Sequence, residues 1–394
     1  MRRNLLSFPF DLRPQDSGMW LSDSYMWKQL EDIQDFLDCD FLCLFSEGPQ
    51  PRNCQVNLPA ERVRGLPVAS TKTAYVMKNA AKIKSSLNQL LANQTYQNLI
   101  LFEPYLVNLY LAQVGRQRRI RIIPWFSGDY SRSNLIGLKT FQNLPHWGKA
   151  VGRWLLHSFI VKYLAQVSSV VITDSPHLFS HKQKVVFAPS QTINQKEMAG
   201  LPCAPVGEKA ELSLLFVGRV VPLKGLHYLI QALSDLKDPP PFHLTIVGPL
   251  YGSEDGGYEF TLRRLIQEKG LGPQVTLTGN ISDRRELEKY FLQADFFILP
   301  SLTEGAPKAI CEAMAYGLPV LASRVGGIPL LVRDGLDGLL IDPRKPADLA
   351  AALGSMLRDR QELRLMGQAA RERALELSKE LIFQRLAQEI NALS

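Results

Sequence analysis

Residues 211–247 read ELSLLFVGRVVPLKGLHYLIQALSDLKDPPPFHLTIV, and this stretch decides the fold of the C-terminal half. Two short apolar runs, Ser213–Val217 and His243–Val247, enclose a segment whose apolar residues recur at helical spacing. Those residues are Leu226, Leu229, Ile230, Leu233 and Leu236. Two parallel strands need a crossover connection, usually a helix, so the stretch has the outline of a βαβ unit. It therefore predicts a parallel sheet covered by helices.

The same alternation of apolar runs and amphipathic segments extends over both halves of the chain. In the C-terminal half the further strand candidates are Val275–Thr278, Phe296–Leu299, Pro319–Ala322 and Gly338–Ile341. In the N-terminal half they are Asn4–Phe8, Phe41–Phe45, Asn98–Phe102, Arg121–Pro124, Ser169–Thr173 and Val185–Ala188. Residues 194–210 contain glycines and prolines without a hydrophobic period, which predicts a linker. The predicted class is α/β with two Rossmann-like domains, at residues 1–198 and 211–375.

The amino-acid composition indicates which binding partners and which cellular compartment to expect. The 394 residues include 45 Lys and Arg against 38 Asp and Glu, a net charge of +7 that favours an anionic partner. A membrane surface or a phosphate-bearing substrate fits, whereas nucleic acid is not expected because no recognition motif accompanies the charge. Five cysteines without Cys-x-x-Cys spacing indicate a reducing cytosol and no zinc site. Asp11 ends the first apolar run too early for a signal peptide, and no run approaches the roughly 18 residues of a membrane span.

A glycine–arginine turn follows the first strand of the C-terminal half. Gly218 and Arg219 come directly after that strand, and Lys224 lies five residues beyond Arg219. Ligands of parallel α/β domains bind at the carboxyl ends of the strands. A guanidinium and an ammonium at such an end match the charge of a diphosphate. The turn is therefore predicted to bind a diphosphate, with Gly218 providing open backbone N–H groups.

A second strand end combines carboxylates with the start of a helix. Residues 299–312 read LPSLTEGAPKAICE, and Pro307 is expected at the first helical position. The N–H groups and positive dipole of a helix start favour phosphate. Carboxylates accept hydrogen bonds from paired sugar hydroxyls, so Glu304 and Glu312 are predicted to hold a sugar nucleotide at two separate points.

Each of these residues has an ordinary structural interpretation when taken alone. A carboxylate such as Glu304 is favoured near any helix start, and a single Gly-Arg turn is common. Asn280 and Ile281, after a third strand, form a loop that is predicted to contact the base of a nucleotide. The joint occurrence of these features after successive strands of one domain favours the functional interpretation.

On these motifs the C-terminal half resembles the family-4 glycosyltransferases, within the group of GT-B enzymes called glycosyl transferases group 1. The resemblance rests on the glycine–arginine turn with its lysine, the Thr-Leu-Thr-Gly strand, and the Glu304 to Glu312 segment followed by AMAYGLPV. The resemblance is close over about residues 211–357. Over the N-terminal half, only the general sequence pattern resembles the family. It implies a GT-B fold of two Rossmann-like domains with parallel sheets facing a cleft. It also implies that the C-terminal helix, about residues 380–394, packs back on the first domain.

The resemblance also implies an activity, that of a hexosyltransferase-type enzyme. A nucleoside diphosphate sugar would donate its sugar, with retention of anomeric configuration and without an essential metal or cofactor. The acceptor would be a saccharide or a lipid-linked saccharide, as in the synthesis of cell-surface polysaccharide or glycolipid. By position, Arg219 and Lys224 would neutralise the diphosphate, Glu304 would meet the transferred sugar, and Glu312 would meet the ribose. The loop backbone that approaches sugar and phosphate comprises Gly305, Ala306 and Pro307.

The acceptor side departs from the family pattern. Gly18 occupies the family's glycine-rich turn after the first strand, with one glycine where a pair is frequent. Many relatives have a histidine after the fourth N-terminal strand, but residues 122–130 read IIPWFSGDY. Asp129 is predicted to orient the acceptor hydroxyl instead, with capping of a turn as the competing interpretation. A missing histidine does not exclude activity, because the departing phosphate can take the acceptor proton in a retaining transfer.

Two other interpretations stay open. One is a non-catalytic sugar-nucleotide-binding subunit of a partner transferase, which the missing histidine permits. The other is an epimerase or phosphorylase on the same fold, against which the Glu304 to Glu312 segment argues. Three basic regions of the N-terminal half, at residues 73–91, 116–121 and 144–164, predict peripheral contact with an anionic membrane on its inner face. Packing of these helices inside the domain is the alternative.

Overall fold

A computed structural model describes residues 3–14, 20–22, 31–45, 54–56, 58–65, 73–92, 95–127, 144–179, 183–189, 193–250 and 257–393. The chain folds as two compact units, residues 1–190 with 382–394, and residues 191–381. Each unit has its own mainly parallel sheet. This arrangement confirms the α/β class with two Rossmann-like domains.

The first unit is built on a sheet of nine described strands. They are β1 (Arg3–Pro14), β2 (Trp20–Ser22), β3 (Cys39–Phe45), β4 (Cys54–Val56), β5 (Val63–Gly65), β6 (Tyr96–Phe102), β7 (Arg121–Phe126), β8 (Val170–Thr173) and β9 (Lys184–Phe187). The parallel part runs in the order β5-β3-β1-β6-β7-β8-β9. Strands β2 and β4 extend the far end of β1 as an antiparallel ribbon. The sequence did not predict β2, β4 and β5, because three residues are too few to show a hydrophobic period.

Helices cover both faces of this sheet. The first four are α1 (Thr73–Lys78), α2 (Ala80–Ala92), α3 (Leu106–Gln117) and α4 (Leu144–Gln166). Leu5 belongs to the core cluster shared with these helices, and Leu6 belongs to the cluster on the opposite face, as the period of two in a strand requires. Residues of the last helix, α13 (Lys379–Asn391), pack in that opposite cluster: Ile382, Phe383, Leu386, Ala387 and Ile390. The last helix thus completes the core of the first unit.

The predicted helix over residues 73–91 is interrupted at Asn79. The Asn79 side chain donates a hydrogen bond to the Tyr75 carbonyl at 2.9 Å. The Asn79 N–H donates to the same carbonyl at 3.1 Å and the Ile83 N–H donates to the Asn79 carbonyl at 3.0 Å, so helical backbone hydrogen bonds cross the interruption.

The second unit has six described strands, all of them parallel. They are β10 (Leu212–Val217), β11 (Phe242–Val247), β12 (Val275–Gly279), β13 (Phe296–Leu299), β14 (Val320–Ser323) and β15 (Gly338–Ile341). Its helices are α5 (Gln195–Gly200), α6 (Leu226–Ser234), α7 (Tyr258–Glu268), α8 (Arg284–Gln293), α9 (Lys308–Ala315), α10 (Ile328–Leu331), α11 (Pro346–Arg358) and α12 (Arg360–Glu376). The strand order is β12-β11-β10-β13-β14-β15, so the winding direction reverses between β10 and β13. Such a reversal is the topological switch point at which open α/β sheets bind ligands.

Two local expectations in this unit were wrong. The predicted linker contains helix α5, which begins with a capping box: the Asn194 side chain accepts from the Glu197 N–H at 2.7 Å, and the Glu197 side chain accepts in return. The Asn-x-x-Glu pattern that marks such a helix start is visible in the sequence. Pro307 caps helix α9 and is not its first residue.

Candidate functional site

The switch point brings the two predicted loops of the second unit side by side. The loop after β10 and the loop after β13 are joined by a hydrogen bond from the Leu302 N–H to the Leu223 carbonyl at 2.8 Å. Gly225 lies between them with φ +68°, and a Cβ at this position would lie 2.0 Å from the Pro300 carbonyl oxygen. Only glycine tolerates both this dihedral angle and this approach. The close contact of the loops therefore depends on Gly225.

Across this contact Lys224 and Glu304 form an ion pair. The Lys224 Nζ bonds to the Glu304 Oε1, and the Ser301 hydroxyl donates to the same oxygen at 2.7 Å. The two charged side chains are only 15% and 11% exposed. Their attraction is therefore less screened than that of a surface pair. Because an ammonium has three N–H donors, Lys224 can hold Glu304 and still donate to an anion.

A third loop supports Glu304 from behind. The Gly327 N–H, just before helix α10, donates to the Gly305 carbonyl at 2.7 Å. A Cβ on Gly326 would lie 1.8 Å from the Glu304 carbonyl oxygen, so this loop packs directly on the backbone of the site. Ala306, in the loop after β13, is also buried. The position of the Glu304 carboxylate is thus set by three loops that follow β10, β13 and β14.

Lys308 is a cation that the sequence interpretation missed. It is the first residue of helix α9, is half-buried, and stands one turn before Glu312. Burial lowers the pKa of Lys308, and the Glu312 carboxylate partly opposes that change. A desolvated ammonium at a helix start adds to the positive potential there. The available signal was its place directly after Pro307.

Of the other predicted donor residues, Gly218 lies beside this pair, since a Cβ there would lie 3.8 Å from the Lys224 Cε. Arg219 is exposed. Asn280 and Ile281 follow β12, which β11 separates from β10. The Gly218 N–H donates to the Val247 carbonyl at 2.9 Å, so it continues the strand pairing and is not open as expected. Gly18 and Asp129 lie outside the described residues.

The carboxyl ends of strands in the first unit carry a second polar cluster, which the sequence interpretation also missed. Glu103 follows β6, is 7% exposed, and has a left-handed backbone with φ +66°. The Asn108 side chain holds this conformation by donating to the Glu103 carbonyl at 2.9 Å. The Ser127 hydroxyl, after β7, donates to the Glu103 carboxyl. Residues held in left-handed conformations cluster at functional sites, which makes Glu103 a candidate.

Burial is the main cause that raises the pKa of Glu103 to about 8; the Ser127 hydrogen bond opposes this change and the nearby Asp174 carboxylate adds to it. The carboxyl group is therefore mostly protonated at neutral pH. A neutral carboxyl both donates and accepts hydrogen bonds, as a sugar hydroxyl does. The sequence shows only a glutamate after an apolar run, and that signal is too common to select it.

Two Rossmann-like α/β units, one with paired charges at its switch point, place the chain in the GT-B class of folds. Residues 206–373 match the family described as glycosyl transferases group 1. The narrower assignment to family 4 stays a prediction.

The names of the curated relatives agree with the match to glycosyl transferases group 1. A D-inositol 3-phosphate glycosyltransferase of Arthrobacter sp. is 35% identical over 188 residues, which are 47% of this chain and 42% of that protein. The matched region thus spans less than half the length of this curated relative. Among solved structures, sucrose-phosphate synthase from Thermosynechococcus elongatus has a TM-score of 0.65 at 21% identity, covering 100% of this chain and 99% of its own. Anabaena HepE in complex with UDP and glucose has a TM-score of 0.64 at 17% identity, covering 100% of both chains. At these identities the structures show a shared fold.

Proposed function

We propose that this chain is a retaining glycosyltransferase that moves a sugar from a nucleoside diphosphate sugar to a saccharide or lipid-linked acceptor. The observation that carries the proposal is the Lys224–Glu304 ion pair at the switch point of the second unit. The pair combines a cation for phosphate with a carboxylate for sugar hydroxyls, and both stand at the carboxyl ends of adjacent strands. Two curated relatives, each matched over 188 residues, carry the name glycosyltransferase.

The residues fit the charge changes of such a transfer. When the bond from the anomeric carbon to the diphosphate breaks, negative charge develops on the leaving oxygen. In this proposal Lys224 and the start of helix α9, reinforced by Lys308, supply the positive charge that stabilises this oxygen. Glu304 accepts hydrogen bonds from hydroxyls of the transferred sugar, and Glu312 holds the ribose. In this proposal Arg219 turns toward the diphosphate when the donor binds, and no metal takes part.

The proposed acceptor site lies at the strand ends of the first unit. The protonated Glu103 and the Ser127 hydroxyl bind a hydroxyl group of the acceptor. The acceptor oxygen bonds to the anomeric carbon, and its proton passes to the departing phosphate, as a retaining transfer without a side-chain base permits. Asp174 adds negative charge at this place, which disfavours a phosphate there. Orientation of the hydroxyl by Asp129 stays a prediction.

A thermal-shift screen against nucleoside diphosphates and their sugars tests the donor site. We expect one nucleotide to stabilise the protein and its sugar conjugate to stabilise it more. The Glu304→Ala variant should lose the difference between conjugate and nucleotide, because it loses the hydroxyl acceptor. Glu268→Ala, at an exposed glutamate of helix α7, is the control and should behave as the parent. If Glu304→Ala still separates the conjugate from the nucleotide as the parent does, the assignment of Glu304 is wrong.

Turnover separates an enzyme from a binding subunit. A transferase should slowly release free nucleoside diphosphate from its donor, faster when an acceptor extract is added. Tight donor binding without release, with the extract present, would contradict the enzymatic proposal and favour the non-catalytic subunit.

The proposal also includes a peripheral site of action at an anionic membrane, on its cytoplasmic side. Within the described ranges, no helix is long and apolar enough to cross a membrane. On helix α4, Leu155 and Phe159 are 55% and 57% exposed one turn apart, and Lys162 is exposed beside them. Exposed apolar residues flanked by a cation are typical of helices that lie on a bilayer. Leu155→Glu with Phe159→Glu should abolish sedimentation with anionic vesicles, and unchanged sedimentation would contradict the assignment.

A further inference from the structure

A basic pocket lies in the first unit, at the amino ends of β6 and β7. It encloses about 480 Å³ and is lined by Tyr96, Gln97, Arg116, Arg118, Arg119, Ile120 and Arg121. Tyr96 begins β6 and Arg121 begins β7. The strands are parallel, so this edge of the sheet is opposite the one that carries Glu103 and Ser127. The pocket is therefore separate from the proposed acceptor site.

The described lining of this pocket holds four arginines and no carboxylate. Two of the arginines are oriented by the protein. Arg118 donates to the Asn88 carbonyl at 3.0 Å, and Arg121 donates to the Asn98 side chain at 3.2 Å. The other two, Arg116 and Arg119, are exposed, and their guanidinium groups make no hydrogen bond or ion pair within the described part of the chain. The pocket thus combines fixed positive charge with donors that are ready for a ligand.

Ordinary structural roles account for only part of this charge. Arg116 lies in the last turn of helix α3, where a cation offsets the helix dipole, but a helix end carries only about half an elementary charge. The acid beneath the pocket is Asp40, which accepts from the Tyr96 hydroxyl at 2.8 Å. Asp40 is fully buried and is paired with Arg64 at 3.3 Å. Neither group neutralises the four neighbouring guanidinium groups, so the pocket keeps a positive potential that attracts an anion.

We propose that this pocket binds a phosphate group. Guanidinium forks match phosphate oxygens through paired charge-assisted hydrogen bonds, which a cluster of arginines can provide from several sides. The volume is in the range of about 300 to 1,000 Å³ typical of small-molecule pockets, so the pocket has room for a ligand larger than free phosphate. Gln97 offers an amide to the polar body that carries the phosphate. The ligand is thus a phosphate ester, from a lipid headgroup or from a soluble compound, and the proposal does not depend on the transferase activity.

Calorimetric titration of the full chain with inorganic phosphate tests the pocket. The variant is Arg116→Gln with Arg119→Gln, which removes the two guanidinium groups that make no contact within the protein. The control is Arg263→Gln with Arg264→Gln, which removes two exposed charges from helix α7 in the second unit. We expect the variant to bind phosphate at least about tenfold more weakly than the parent, and the control to bind phosphate as tightly as the parent. Any phosphate binding at the loops of the second unit should be equal in the parent, the variant and the control. The difference in affinity between parent and variant therefore measures binding in the pocket.

Vesicles distinguish the two sources of the phosphate. Phosphatidylcholine vesicles with phosphatidic acid are compared with vesicles in which oleate carries the same charge. Preference of the parent for phosphatidic acid, lost in the arginine variant, identifies a lipid headgroup. Equal vesicle binding by parent and variant, together with different phosphate titrations, identifies a soluble ester. If parent and variant give the same titration, the pocket does not bind phosphate and the proposal is overturned. If the double variant unfolds, Arg119→Gln alone provides the comparison.

Discussion

Replacing Lys224 by methionine tests the ion pair on which the donor site depends. The substitution keeps most of the side-chain volume and removes the charge. Glu304 then keeps the Ser301 hydroxyl as a partner but loses its counter-ion in a place where it is only 11% exposed. Both stability and nucleotide binding should fall, because the same ammonium serves both.

The expected magnitude follows from this burial. At an effective dielectric constant of about 20, two charges in contact attract by roughly 5 kcal/mol, and desolvation offsets part of that. Removing one partner of a buried pair costs about 3 to 5 kcal/mol. Because Lys224 is 15% exposed, some water screens the pair, and we expect about 3 kcal/mol of lost unfolding free energy. Loss of a charge-assisted hydrogen bond of about 1.5 to 3 kcal/mol should weaken nucleoside diphosphate binding roughly 10- to 100-fold.

Urea unfolding measures the loss of stability. Calorimetric titration measures the loss of nucleotide affinity, with the nucleoside diphosphate that stabilises the parent most. The matched control is Lys345→Met, at a lysine of the same unit that is also paired with carboxylates but is 55% exposed. Solvent screens such a surface pair, so the control should lose little stability and no affinity. The reasoning is refuted if Lys224→Met is as stable as the control and binds the nucleotide within about twofold of the parent.

Two further predictions address the other buried features. Gly225→Ala should lower the free energy of unfolding by at least about 2 kcal/mol and weaken nucleotide binding, because its Cβ would overlap the Pro300 carbonyl. The control is Gly270→Ala, at a glycine that is also left-handed, with φ +69°, but has open space around it; this variant should lose only about 1 kcal/mol and bind the nucleotide as the parent does. Equal urea midpoints for the two variants would contradict this. The raised pKa of Glu103 means that the native state binds more protons than the unfolded state between about pH 4.5 and 8, so stability falls as pH rises through that window. Between pH 5.5 and 8 the parent should lose about 3 kcal/mol more than Glu103→Gln, and parallel stability curves for the two proteins would disprove the burial of an ionisable carboxyl.

The strands of both sheets were largely predictable. All six strand predictions for the second unit fall within a residue or two of the observed bounds, because strands buried on both faces are short continuous apolar runs. The loops that follow β10 and β13 were predictable for the same reason, since each loop is anchored by the strand before it. The start of helix α5 in the predicted linker, at Asn194, could have been found from its capping pattern.

The contacts between distant residues were not predictable in this way. Lys224 and Glu304 are 80 residues apart and meet because β10 and β13 are hydrogen-bonded neighbours across the switch point. The sequence identified both residues as candidates by position, but it did not predict that each would be the other's partner. The use of the Gly218 N–H in strand pairing was hidden for the same reason.

By itself, the sequence determined the α/β class, the positions of the longer strands and the loops that carry charge, because hydrophobic period and strand ends are local properties. Only the tertiary structure decided which charges meet, which carboxyl is protonated and which arginines share a pocket. Those properties depend on burial and on distances of a few ångströms between residues far apart in the chain. Glu103 and Arg119 show the difference: each is an ordinary charged residue in the sequence, and its surroundings in the fold make it a candidate for binding a ligand.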